Sequence, residues 1–125
     1  MSERPLVSVV DDDESVRESL PDLLRELGYE AAAFASAEQL LLSDRLADTD
    51  CLILDIAMPG MSGPDLHREV SLRGHRIPVI FITALAGESI RRSRIAEVAV
   101  ACLLKPFSEQ ALCAALETAL PGDRL

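Results

Sequence analysis

The chain has 125 residues, 49% of them hydrophobic, which is enough for one domain with a sizeable core and too little for two. Twelve basic residues against twenty-one acidic leave a formal charge of −9, a balance that repels nucleic-acid phosphates and anionic lipid headgroups and disfavours direct contact with either. No apolar run approaches the ~20 residues that span a bilayer, and the N-terminus lacks a signal peptide's apolar stretch, so the chain reads as a single cytosolic domain over residues 1–125.

Leu6 to Val10 is nearly continuously apolar and β-branched, the pattern of a parallel strand buried on both faces. Val16, Leu20, Leu23, Leu24 and Leu27 then recur at helical spacing and stop at Gly28, which predicts a helix over about 14–27. Pro21 lies inside it, where its ring lacks a donor and crowds the Arg17 carbonyl, so a kink or a late start is expected. Glu30 to Phe34 is a weaker strand candidate. Ser36 caps a second helix expected to reach about Leu46, Cys51 to Leu54 is a third strand, and Gly63-Pro64 opens a third helix through Leu72. Ile77 to Ile82 reads as the fourth strand, Glu88 to about Glu97 as the fourth helix, and Val100 to Leu104 as the fifth strand. Ser108 caps a fifth helix with Leu112, Leu116 and Ala119 on one face and Pro121-Gly122 as its stop. This alternation implies right-handed crossovers and an α/β fold. The simplest form is a flavodoxin-like (βα)5 three-layer sandwich with a parallel five-stranded sheet in the order 2-1-3-4-5.

In such a sheet chemistry belongs at the carboxyl ends of the strands, beside the point where strand order reverses. The first strand ends in Asp11-Asp12-Asp13-Glu14, the third in Asp55, the fourth in Thr83 and the fifth in Lys105-Pro106. Each residue alone has a bland reading as a helix cap, a strand end or a turn. Together they are another matter. Carboxylates packed against one another repel and raise a pKa unless a cation joins them, and an all-oxygen donor set suits Mg²⁺. A carboxylate beside Mg²⁺ and a lysine can attack a phosphoryl group, because metal and ammonium neutralise the charge that spreads over its oxygens.

Four segments, Val9-Val-Asp-Asp-Asp-Glu14, Leu54-Asp-Ile-Ala-Met-Pro-Gly-Met-Ser-Gly63, Phe81-Ile-Thr-Ala84 and Leu104-Lys-Pro-Phe107, stand in order over almost the whole chain. In this set the sequence resembles the receiver domains of two-component response regulators, FixJ-like ones in particular. The resemblance implies a domain that accepts a phosphoryl group from a sensor histidine kinase onto Asp55 and switches conformation to control an output domain or partner. It catalyses only its own phosphorylation and dephosphorylation. It makes Asp11 and Asp12 holders of Mg²⁺, directly or through water, with Asp55 and the backbone carbonyl of Ala57 completing the metal site. Asp13 becomes a cap, Thr83 the switch hydroxyl, Ala84 the small residue that leaves room for the phosphoryl group, and Lys105 the ion-pair partner, with a cis Lys105-Pro106 bond. It also implies a possible homodimer through the face of the fourth helix, fifth strand and fifth helix. The chain departs from the family at Cys102, where an aromatic ring is usual, and at Val98, often glycine. With no ring to move, activation is expected to shift the loop from Ala84 to Glu88, hinged at Gly87, and the fourth helix with Arg91 and Arg92 more than the strand carrying Cys102.

A haloacid-dehalogenase-like phosphohydrolase also uses an aspartate after a strand, but needs a second acid two residues on, where this chain has Ala57. A receiver-like fold without phosphorylation is disfavoured by the complete set Asp11, Asp12, Asp55, Thr83 and Lys105. Cys51, Cys102 and Cys113, without a CxxC pattern, read as reduced apolar fillers. His67 and His75 read as solvated polar positions, and Arg91, Arg92 and Arg94 as a positive face for a partner.

Overall fold

The computed structural model describes residues 4–84 and 99–121. The predicted fourth helix, with Gly87, Arg91, Arg92, Arg94 and Val98, lies outside the described residues. Five parallel strands, β1 (Leu6–Val10), β2 (Glu30–Phe34), β3 (Cys51–Asp55), β4 (Val79–Thr83) and β5 (Ala101–Leu104), form one sheet in the order β2-β1-β3-β4-β5. That is the flavodoxin-like order expected from the alternation of elements.

The helices α1 (Glu14–Glu26), α2 (Ala37–Leu41) and α3 (Gly63–Leu72) follow the first three strands, and a C-terminal helix, Glu109–Ala119, closes the described chain. Strand residues alternate between two cores. Val7, Val9, Ile53, Ile80 and Ile82 pack with Leu20 and Leu24 of α1 and Leu112 and Leu116 of the C-terminal helix. Val10, Leu52, Leu54, Val79 and Phe81 pack with Leu40, Leu66 and Val70 of α2 and α3. β1, β3 and β4 are buried along their whole length, which is why their sequences are apolar on both faces. Burial at ~25 cal/mol per Å² of apolar surface is the main force that holds the layers together.

Three expectations about element ends need correction. α1 begins at Glu14 and runs through Pro21 to Glu26 with Leu27 as its C-cap; the Pro21 ring is buried beside Leu20 and Leu24, and that packing offsets the hydrogen bond the ring cannot make. The second helix ends at Leu41, and a 3₁₀ turn over Asp44–Asp48 follows. Ser43 causes the break, because its hydroxyl accepts from the Arg45 N–H at 2.9 Å and competes with the helical ladder. β4 begins at Val79 instead of Ile77, since Pro78 has no N–H to donate, although its carbonyl accepts from the Leu52 N–H at 3.0 Å. Gly28, with φ of 103°, takes the left-handed position after α1. Among the described residues no helix is long and apolar enough to cross a membrane.

Candidate functional site

β1 and β3 are neighbours in the sheet, yet β1 is followed by β2 on one side and β3 by β4 on the other. The crevice at their carboxyl ends therefore opens where the strand order reverses. Asp11 follows β1 directly and Asp55 is the last residue of β3; both are buried, while Asp12 is exposed. One carboxylate oxygen from each of Asp11, Asp12 and Asp55 lies within 4.8 Å of the others.

Asp11 is held at every polar atom. Its N–H donates to the Phe34 carbonyl at 3.1 Å, its Oδ1 accepts from the Asp13 N–H at 2.9 Å, and its carbonyl accepts from Arg17 Nη1 at 3.1 Å. Its Oδ2 is an ion-pair partner of Lys105 Nζ at 2.9 Å, and that ammonium is also 3.7 Å from Asp55 Oδ2. Oδ2 is buried without a well-aligned hydrogen bond, so this ammonium is its compensation. Asp13 is a cap: its Oδ1 accepts from the Ser15 N–H at 2.9 Å at the start of α1.

The remaining strand ends complete the crevice. Thr83 is the buried last residue of β4, Ala84 beyond it is exposed, and the Thr83 carbonyl accepts from the Lys105 N–H at 2.7 Å. The Lys105-Pro106 bond is cis, as the resemblance implied. After β3 comes the exposed Ala57, whose backbone N–H favours the charged form of Asp55, and Gly63 donates to the Ile56 carbonyl at 3.0 Å. Thus Asp11, Asp12, Asp55 and Lys105 form one charged cluster, with Thr83, Ala84 and Ala57 on its flanks. Cys102 lies further down β5, half-buried and paired in register with Phe81.

Burial, and then the negative charge of Asp11, push the Asp55 carboxyl up to about 7, against the pull of Lys105 and the Ala57 N–H. For Lys105, burial alone would favour the neutral form, but the bond to Asp11 and the charges of Asp11, Asp55 and Asp13 outweigh it and hold the ammonium above its ordinary range. A folded chain that binds the Asp55 proton more tightly than the unfolded chain gains stability from it below about pH 4 and loses it as pH rises through about 7. In metal-free buffer the thermal midpoint of the wild type should fall across that window relative to Asp55→Asn. Parallel midpoint profiles for the two proteins would contradict the shift.

The donor set fits a metal ion. Three convergent carboxylates, two of them buried and carrying mutual repulsion, form an all-oxygen site of the kind hard divalent cations prefer.

Sequence reasoning missed three features. Arg17 reaches back from α1 to the Asp11 carbonyl; its signal was an arginine one turn inside a helix that starts at the acidic loop. Gly63 was read as a helix opener and as the end of the segment that follows the third strand, with no sign that a Cβ there would collide with the backbone of Asp55 and Ile56. His67 is half-buried, not solvated: its ring meets Phe81 edge-on with centroids 6.4 Å apart, and burial lowers its pKa.

Comparison with known proteins agrees with this geometry. The model of the response regulator receiver domain matches residues 7–117. Nodulation protein W of Bradyrhizobium diazoefficiens is 40% identical over 123 residues, covering 98% of this chain and 54% of the relative. Transcriptional regulatory protein FixJ of Azorhizobium caulinodans is 35% identical over 120 residues, covering 96% of this chain and 57% of the relative. The structure of response regulator StyR superposes with a TM-score of 0.84 at 43% identity, covering 94% of this chain and 59% of that one. The chain thus spans about half the length of the curated relatives it matches. With a fold, a site and a match over nearly all of its length in agreement, this chain belongs to the response regulator receiver domain family, whose role is phosphoacceptor signalling.

Proposed function

We propose that this single domain accepts a phosphoryl group on Asp55 from a sensor histidine kinase in a Mg²⁺-dependent reaction, and that the change in charge switches its conformation to control an output domain or partner. The observation that carries this reading is the cluster itself. Asp55 ends the central strand within 4.8 Å of two further carboxylates and has an ammonium 3.7 Å away.

Asp11 and Asp12, with Asp55 and the Ala57 carbonyl, would hold Mg²⁺, directly or through water. When bound, the metal supplies positive charge to the oxygens of the phosphoryl group in transfer. An Asp55 carboxylate oxygen attacks phosphorus, a P–O bond forms, and the bond to the donor breaks with its electron pair leaving on the donor. Lys105 stabilises the same developing charge from its place between Asp11 and Asp55. Thr83 offers a hydroxyl to the phosphoryl oxygens, and the small exposed Ala84 leaves room for the group. No separate substrate is turned over: the domain catalyses only its own phosphorylation and dephosphorylation. Phosphorylation adds about −1.5 to −2 charge. Homodimerisation through the face of the predicted fourth helix, β5 and the C-terminal helix is the association this reading proposes, with no nucleic acid or membrane touched by the domain and a cytoplasmic setting.

Intact-mass measurement with acetyl phosphate, or with a cognate kinase, should show one phosphoryl adduct that requires Mg²⁺, is absent from Asp55→Asn and forms slowly in Asp12→Ala. An adduct that persists in Asp55→Asn would sink the assignment.

A further inference from the structure

Arg17 is a half-buried cation beside the acidic cluster; its guanidinium donates to the backbone carbonyl of Asp11, and among the described residues it pairs with no carboxylate. That carbonyl belongs to the peptide that joins Asp11 to Asp12. The Asp11 side chain has holders of its own, the Asp13 N–H at 2.9 Å and the Lys105 ammonium at 2.9 Å. Asp12 has none: it is exposed, and among the described residues no hydrogen bond or ion pair restrains its carboxylate. Where Asp12 points is therefore decided by the backbone that precedes it. Arg17 is anchored in its turn by its own N–H, which donates to the Asp13 carbonyl at 3.2 Å in the first turn of α1.

We propose that Arg17 is a positioning residue for the metal-holding acids: by tying the Asp11 carbonyl to α1 it fixes the Asp11-Asp12 peptide plane and keeps the Asp12 carboxylate converged with Asp11 and Asp55. This inference rests on the reading of the cluster as a divalent-cation site. Outer groups that orient metal ligands commonly carry a tenfold or larger share of affinity.

A charge role and a positioning role for Arg17 predict opposite signs. If its charge alone mattered, its removal would relieve repulsion toward an incoming cation and Mg²⁺ would bind more tightly. If it positions, Mg²⁺ binds more weakly although the site has become more negative. Mg²⁺ should be titrated by calorimetry at fixed pH and ionic strength into the wild type, Arg17→Met and Arg17→Lys, with circular dichroism to verify folding. Arg17→Met should lose about tenfold in Mg²⁺ affinity, and Arg17→Lys, which keeps a donor on a long stem, should recover most of it. Phosphorylation of Arg17→Met by acetyl phosphate should slow at low Mg²⁺ and return to near the wild-type rate at saturation. Unchanged or tighter Mg²⁺ binding in Arg17→Met overturns the proposal; if that variant does not fold, Arg17→Leu, which likewise has no donor, is read in the same way. Wild-type protein that binds Mg²⁺ but takes no phosphoryl group, with affinity lost in Arg17→Met, would sink the proposed function and support this inference. Normal phosphorylation with intact Mg²⁺ affinity in Arg17→Met would do the reverse.

Discussion

Gly63→Ala should unfold about 10 °C below the wild type and should accept phosphoryl groups much more slowly. A Cβ built on Gly63 falls inside contact distance of the Asp55 carbonyl oxygen, 3.1 Å from its carbon and 3.2 Å from Ile56 Cα. These are backbone atoms of the residue that carries the proposed phosphoacceptor and of its neighbour, so no flexible side chain can move aside. Either α3 retreats and breaks the Gly63 to Ile56 hydrogen bond of 3.0 Å, or β3 shifts at its end and takes Asp55 with it. Overpacking of this kind costs about 1–3 kcal/mol, and in a domain of this size each kcal/mol is worth roughly 3–5 °C. Gly74→Ala is the control. Gly74 has φ of 92° but open space around a Cβ, so only the backbone conformation is penalised, by about 1 kcal/mol. Equal midpoints for the two variants would show that the contact with Asp55 is soft.

Lys105→Met should destabilise the metal-free domain by about 2–3 kcal/mol at pH 8 and by much less at pH 5. Its ammonium lies between two carboxylates, 2.9 Å from the fully buried Asp11 and 3.7 Å from Asp55. Without it both charges are uncompensated in a poorly solvated crevice, a loss that costs 3–5 kcal/mol for a fully buried pair and less here because the Lys105 side chain is 20% exposed. The pH dependence follows from Asp55. Removal of the one cation that lowers its pKa sends it above about 7, so at pH 5 the folded variant holds that proton and avoids the repulsion. At pH 8 the unfolded chain is ionised without cost while the folded chain is not, and stability falls. Chemical denaturation at the two pH values measures the difference. An equal loss at both would mean that Lys105 acts through the packing of its stem.

The strands were legible because β1, β3 and β4 sit at the centre of the sheet and carry apolar, β-branched side chains on both faces, a pattern few other environments select. The strand-end residues were legible because the strand order puts their chemistry at one edge. The break after Leu41 was not, because the Ser43 hydroxyl chooses between two local hydrogen-bond patterns that the apolar spacing does not separate. His67 escaped for a different reason. Its place against Phe81 depends on how α3 lies on β4, a distant relation that a single histidine on a helix does not reveal. Arg17 and Gly63 share that cause: each acts on a backbone atom, Asp11 O in one case and Asp55 O in the other, and backbone partners leave no mark in composition or periodicity.

The alternation of strand residues between two cores also sets the order in which the domain breathes. Neither face can open alone without stripping every second side chain of β1, β3 and β4 from its packing, so these strands should yield their amide protons only when the whole domain opens. The two edge strands, β2 with one buried residue and β5 with none, and the five-residue α2 lack that double anchorage and should exchange first. Asp55 and Thr83 stand at the tips of the slowest strands. The domain thus mounts Asp55 and Thr83 on the part of the chain that moves least, while its soft margins lie along β2, α2 and β5, and opening of β2 reaches the site through the Phe34 carbonyl that holds the Asp11 N–H.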